Sequence, residues 1–326
     1  MVRSKSTLEM AVTALREPHR AEYKIRELAG APFAQLHTRL TTSDLPSQYT
    51  QLQALRHHDE YLLIVLDACR YDMFVDIAPE YLTFEQLKPV KSEGRNTFEY
   101  VAHCWPDEYD DVAYISAATP VNSDSRDKYE RDTLRLYNGY VPSEHLSHIR
   151  DVWRESWNEN IGITPPTPVT DAALDTDSQR VVAHYFQPHA PFIGRQSLLG
   201  HANNANSSPM EGEAVDAPVW QRAKWGDVTR AQLKAVYKSN LHRVLRDVCR
   251  LVEGTTIENV AIMGDHGEAL GKYGIYAHPP LEHPNTRKIP WGIVRGVTDY
   301  PDSNERSPTD VSGVDVESRL SDLGYL

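Results

Sequence analysis

The fold this sequence predicts is a three-layer α/β/α sandwich, with helices on both faces of a mostly parallel, mixed central sheet. Three observations predict it. Tyr61-Leu62-Leu63-Ile64-Val65-Leu66 is uniformly apolar and ends at Asp67, as expected for a central parallel strand covered on both faces. Residues 258–263 form a second strand-like run, ending at Gly264-Asp265-His266-Gly267-Glu268. Between them, Thr229 to Glu253 carries Leu233, Val236, Tyr237, Leu241, Val244, Leu245, Val248 and Leu251 at helical spacing, closed by Gly254. Ligands bind such sheets outside the carboxyl ends of the strands. Asp67 and the Asp265-His266 pair are therefore expected to share one site.

The other elements follow in order. Residues 7–40 read as helical: Leu8, Val12 and Leu15, then Ile25, Leu28, Phe33, Leu36 and Leu40, with Pro18 as a break. The expected role is packing of this stripe against the domain; lying on an anionic membrane is the alternative. Thr41 to Pro46 reads as a linker. After Asp67 a helix runs towards Pro79, and Leu82 to Val90 returns as a strand. Asn96 with Glu99 three residues on fits a helix N-cap and its capping-box partner. That puts Thr97 in a first turn, where an oxyanion is favoured. Asp111 to Ala118 reads as a strand, and residues 119–178, with Pro165-Pro166-Thr167-Pro168, as helices and loops above the sheet. A strand within Gln179 to Phe186 leads into Gln187-Pro188-His189-Ala190-Pro191-Phe192. Residues 196–218 read as a surface loop or lid, and Lys288 to Val294 as a last strand. The acidic tail has room for a short amphipathic helix near Val314 to Leu323. The domain organisation expected is residues 1–58 as an N-terminal helical segment, 59–298 as a catalytic domain and 299–326 as the tail.

Of the 326 residues 40 % are hydrophobic and 25 % charged, ordinary globular values. A net charge of −12 argues against nucleic-acid binding, which needs a clustered basic face. Three widely spaced cysteines, Cys69, Cys104 and Cys249, form no disulfide framework. The first residues lack the apolar core of a secretory signal, and no apolar run approaches the roughly 20 residues a bilayer needs. The expected home is the cytoplasm.

Asp67, Asp265, His266 and the hydroxyl of Thr97 make a mostly hard ligand set, suited to Mn²⁺, Zn²⁺, Mg²⁺ or Ca²⁺. A cation beside Thr97 would turn its hydroxyl into a nucleophile. Taken singly, each residue has a plainer reading. An Asp after a strand is often a helix cap, and so is a Thr before a helix. The Asp-His pair between glycines is more specific, because polar neighbours at a strand exit rarely serve packing.

Leu66-Asp67-Ala68-Cys69-Arg70-Tyr71-Asp72, the Thr97 loop, the Pro188-His189-Ala190-Pro191 segment and Gly264-Asp265-His266-Gly267-Glu268-Ala269-Leu270-Gly271 occur in one order. Tyr273-Gly274 and His278-Pro279 follow them. In that order the chain resembles the alkaline phosphatase/sulfatase superfamily over roughly residues 60–295, with its sulfatase-like branch, including phosphoglycerol and phosphoethanolamine transferases and archaeal sulfatase-like proteins, the nearest in pattern. The resemblance implies an alkaline-phosphatase-like sandwich in which Asp67, Thr97, Asp265 and His266 hold one divalent metal. It implies Thr97 as nucleophile, His189 and His278 on the transferred group, and Arg70 and Arg95 adding positive charge. Without it, His189 and His278 read as structural histidines among prolines. The pattern departs from sulfatases at Ser92-Glu93-Gly94-Arg95-Asn96-Thr97 and at Cys104-Trp105-Pro106, neither of which is a formylglycine signature. It departs from two-metal phosphatases at Pro188-His189, although His283 leaves room for a second ion.

The expected function is a metal-dependent, sulfatase-like hydrolase or transferase acting on a phosphate ester through a threonine nucleophile. The nearest variant is a sulfuric ester hydrolase, and the rival from another class is a non-catalytic binding protein of the same fold. The expected partner is a small-molecule, glycan or lipid-headgroup ester, with no nucleic acid.

Overall fold

The computed structural model describes residues 18–196 and 218–298. The helix expected over 7–17, the loop over 197–217, and the tail with its helix near Val314 to Leu323 lie outside the described residues. The described chain opens with α1 (Pro18–Thr42) and α2 (Gln48–Arg56). Then come β1 (Tyr61–Leu66), α3 (Tyr71–Ile77), β2 (Leu82–Lys91), α4 (Thr97–Cys104) and β3 (Tyr109–Ser116). After these follow β4 (Leu146–Asp151), α5 (Pro166–Leu174), β5 (Arg180–Tyr185), α6 (Arg230–Gly254) and β6 (Val260–Gly264). A small hairpin, β7 (Ala269–Leu270) with β8 (Tyr276–Ala277), precedes β9 (Lys288–Val297).

Seven strands form one sheet in the order β2-β9-β6-β1-β5-β3-β4. The pairs β6-β1, β1-β5, β5-β3 and β3-β4 are parallel, and β9 runs antiparallel to both β6 and β2. This is the mostly parallel, mixed sheet that the sequence predicts. Strand β1 sits near its middle with all six residues buried. Its side chains alternate between two cores, as strand geometry requires. Leu62, Ile64 and Leu66 join one core with the stripe of α6, and Tyr61, Leu63 and Val65 join the other with Leu52, Leu55, Tyr100 and Val101.

Two expectations are corrected. Residues 119–178 contain β4, an edge strand in the parallel ladder with β3. Its sequence Leu-Ser-His-Ile-Arg-Asp buries only its end residues, so no apolar run marks it. The described part of helix α1 opens at Pro18 and keeps Pro32 inside it. Its stripe does not pack against the domain: Ile25, Leu28, Phe33, Leu36 and Leu40 are exposed, while Glu27, Ala34, Thr38 and Thr42 are buried.

Candidate active site

The carboxyl ends of β1 and β6 lie side by side, since Leu66 pairs with Gly264. Each exit therefore delivers its next side chains to one place. Ala68 takes a left-handed backbone, φ 59°, which turns its N–H onto Asp265 Oδ1 at 2.9 Å. Asp265 Oδ1 also accepts from the His266 N–H at 2.6 Å. With one oxygen so held, Oδ2 faces Thr97, whose Oγ1 donates to it at 2.9 Å. Gly267 is required here by close approach, because a Cβ would meet the Asn285 carbonyl oxygen at 2.0 Å.

Thr97 is buried and opens α4, while Asn96 is the cap, its side chain accepting from Glu99 N–H at 2.9 Å. The capping role that Thr97 alone would suggest is thus already filled. His266 Nδ1 lies 2.8 Å from the Gly267 carbonyl oxygen, so the proton sits on Nδ1 and the lone pair on Nε2. That Nε2 is 3.4 Å from Asp67 Oδ1, 3.4 Å from Asp265 Oδ2 and 3.4 Å from Thr97 Oγ1. Four potential ligand atoms from three chain segments converge. Asp67 Oδ1 is buried with no hydrogen-bond partner among the described residues.

Burial dominates the electrostatics. It raises the Asp67 carboxyl well above the usual range, helped by Asp265 and Glu268, and it raises Asp265 as well. It pushes His266 well below 6.5, with His278 adding to the effect, so the imidazole is neutral. Two adjacent buried carboxylates without a cation are costly. The orphaned oxygen, the neutral imidazole and the hydroxyl fit a divalent cation of the oxygen-preferring or borderline class.

The histidines lie against this group. The His278 ring centroid is 4.7 Å from that of His266 and 5.2 Å from that of His189. His189 is held by its backbone N–H to Asp67 O at 3.2 Å, and by Asn240 of α6 on its carbonyl at 3.0 Å. Burial first, then His278, lowers His189 to about 4. The two arginines are committed elsewhere. Arg70 is buried, donates to Asp72 from Nε at 2.9 Å and from Nη2 at 2.6 Å, and reaches the Glu268 carbonyl at 3.3 Å. Arg95 pairs with Glu99, Nε lying 3.0 Å from both of its oxygens. His283 stays outside the cluster, accepting from Asn285 N–H at 3.2 Å as a helix cap.

Three residues escaped sequence reasoning. Glu268 is fully buried beside His189 and His278, and the three present ligand atoms within 4.8 Å of one another. His184, in β5, does the same with Asp67 and Asp265. Its Nδ1 contacts Tyr114 OH at 2.9 Å, and its Nε2 is buried without a partner among the described residues. A polar residue inside Val181-Val182-Ala183-His184-Tyr185 was the available signal. Gln48, in the first turn of α2, carries no motif. Its Nε2 donates to Gly264 O at 2.9 Å and its Oε1 accepts from Glu93 N–H at 2.9 Å, tying the β6 exit to the Thr97 loop. Gln48→Leu strands these buried backbone groups, so urea unfolding of the metal-free protein should show a loss of about 2–4 kcal/mol.

No protein-family model matches the chain, and no curated protein does. Solved structures are similar to it. The soluble domain of lipooligosaccharide phosphoethanolamine transferase A from Neisseria meningitidis is 16% identical, TM-score 0.44, over 74% of this chain and 76% of that one. The C-terminal periplasmic domain of phosphoethanolamine transferase EptC from Campylobacter jejuni is 15% identical, TM-score 0.39, over 71% and 77%. A phosphonate monoester hydrolase of Agrobacterium radiobacter is 13% identical, TM-score 0.39, over 73% and 68%. The cytoplasmic expectation is corrected at this point, since the Campylobacter jejuni match is a periplasmic domain. Unpaired cysteines and a polar first stretch do not fix a compartment. Among the described residues no helix is long and apolar enough to cross a membrane.

Proposed function

We propose that the protein is a metal-dependent hydrolase or transferase that cleaves a phosphate ester, with Thr97 as its nucleophile. The observation that carries this reading is the convergence of Asp67 Oδ1, Asp265 Oδ2 and Thr97 Oγ1 on His266 Nε2, each at 3.4 Å. A hydroxyl set among metal-capable atoms at a helix N-terminus is an arrangement for attack, and a packing role would explain none of it. The motif order that resembles the alkaline phosphatase/sulfatase superfamily points the same way.

Asp67, Thr97, Asp265 and His266 would hold the cation. When bound, it supplies Lewis acidity that favours the Thr97 alkoxide and offsets the charge of the ester. The chain supplies the rest. Asp265 Oδ2 fixes the Thr97 hydroxyl, and the positive end of α4 favours an incoming phosphoryl group. Thr97 Oγ1 gives up its proton to solvent and forms a bond to phosphorus as the bond to the leaving oxygen breaks. The leaving oxygen departs with the electron pair and takes up a proton from solvent. His278 donates to a non-bridging oxygen, where oriented donors contribute most. The neutral His189 ring, its Nδ1 proton held by the Ala190 carbonyl at 2.5 Å, packs beside His278 at the same group. Water or an acceptor alcohol then displaces the phosphothreonine.

The test is a panel of Mn²⁺, Zn²⁺, Mg²⁺ and Ca²⁺ against aryl phosphate monoester, diester, phosphonate ester and sulfate ester. The expected result is one ion per chain and turnover of a phosphate ester. Preference for the sulfate ester would overturn the ranking, and inertness with every metal would favour a binding role. Two ions per chain would assign the second to His189, Glu268 and His278.

A further inference from the structure

Helix α1 turns the wrong face outward for a helix of a globular domain. Ile25, Leu28, Phe33, Leu36 and Leu40 are between 57% and 73% exposed, and at 100° per residue they share one side of the helix. Among the described residues Leu136, at 48%, is the one other large hydrophobic side chain that is exposed. Five such side chains present on the order of 600 Å² of contiguous apolar surface, more than scattered exposure accounts for.

The orientation is fixed by the opposite face. A Cβ on Gly30 would stand 1.9 Å from the Tyr273 carbonyl oxygen, so no larger residue fits where α1 crosses the turn after β7. Ala34 packs with Ala269 and Ile275. His37 Nδ1 meets Tyr273 OH at 2.7 Å, and the buried Thr38 hydroxyl is satisfied by Ala34 O at 2.8 Å. Small and satisfied polar residues point inward, and rotating the helix to bury the stripe would break the Gly30, Ala34 and His37 contacts with the turn while exchanging them for no partner.

We propose that this stripe docks the protein onto an anionic lipid surface. Charge complementarity selects that occupant. Residues 18–42 carry four Lys or Arg against two Glu, net positive in a chain of total charge −12. Lys24, Arg26 and Arg39 are exposed around the stripe, Lys24 and Arg26 also pairing with Glu27 and Glu22 of the same helix. An apolar face with cations alongside is the composition of an interfacial helix. A second copy fits less well. Pairing two stripes would bring like charges together, and this area falls short of the ~800 Å² per partner of a standard interface. A heterologous contact lacks an apolar counterpart among the described residues. The inference stands apart from the catalytic reading, but it bears on the site. The turn that clamps α1 also leads from His266 to His278, so docking would hold that rim about one helix diameter, 10–12 Å, behind the lipid-facing side.

The test is co-sedimentation of the full chain with vesicles of phosphatidylcholine alone, or with about 30% phosphatidylglycerol, at low and high salt. The expected result is binding to the anionic vesicles that weakens with salt, and that falls at least tenfold in Leu28→Gln/Leu36→Gln. Both positions are exposed, so the variant should keep the parent melting temperature. Lys24→Glu/Arg39→Glu should lose the preference for anionic lipid. Wild-type protein that stays in solution with both vesicle types overturns the proposal. So does a wild-type dimer by light scattering that the leucine variant converts to monomer while vesicle binding is unchanged.

Discussion

Thr97→Ala is expected to lower turnover by at least about 10⁴-fold, the scale seen when a nucleophile acting with partner groups is removed, while the protein still takes up its metal. The substitution removes the buried hydroxyl and the γ-methyl and keeps the Cβ. The α4 cap stays intact because Asn96 supplies it. Asp67, Asp265 and His266 still converge after the change, so metal affinity should fall with the lost hydroxyl ligand while metal content per chain at saturating metal stays near that of the parent. Melting temperature should move little. Thr97→Ser keeps a hydroxyl within reach of Asp265 Oδ2 and should retain part of the activity, with the rotational freedom of serine accounting for the loss. A purely capping Thr97 predicts the reverse, a drop in stability with turnover preserved. Unchanged turnover in the alanine variant removes Thr97 from the mechanism.

What the sequence disclosed follows from where burial leaves a periodic mark. Strands β1 and β6 are covered on both faces, so they read as apolar runs, and their exits could be located to the residue. Helix α6 was legible for the same reason, one long stripe against one core. Strand β4 left no such mark, because an edge position exposes most of its side chains. Helix α1 left a mark that pointed the wrong way. Its stripe resembles a core face, and the contact that decides its orientation comes from Gly30 and Ala34, which no hydrophobic count weighs.

The site divides in a similar manner. Asp67, Thr97, Asp265 and His266 could be picked out because each stands at the end of a recognisable element. Arg70 and Arg95 were expected, through the resemblance, to add positive charge; their guanidiniums meet Asp72 and Glu99, partners two and four residues along the chain. For another reason, Gln48 carried no mark at all, and His184 only that of a polar residue inside an apolar strand. Their importance lies in backbone carbonyls and carboxylates that only the folded chain brings near them, at a separation of 216 residues for Gln48 and Gly264.

Asp265→Asn should separate a metal ligand from a structural carboxylate, since the two roles predict opposite signs. Asparagine keeps an oxygen to accept from the Ala68 and His266 N–H groups. Its amide then replaces Oδ2, turning a ligand oxygen facing Thr97 and His266 Nε2 into a donor. Zinc sites of four ligands contribute roughly 10–16 kcal/mol, so losing one should weaken metal binding by about 10²–10³-fold, read by dye competition. The metal-free variant should gain stability. Burial holds the Asp67 and Asp265 carboxyls above the usual value of 3.8, so below that pH both the folded and unfolded states are protonated and no penalty exists. As pH rises past it, the unfolded chain ionises first and the metal-free fold loses stability up to the raised values. A bound cation takes the place of those protons. The gain in melting temperature on adding metal to the parent should therefore grow with pH, and Asp265→Asn should flatten that dependence while raising the metal-free baseline. A carboxylate serving structure alone would instead lower the baseline and leave the metal response intact, and that outcome would remove Asp265 from the ligand set.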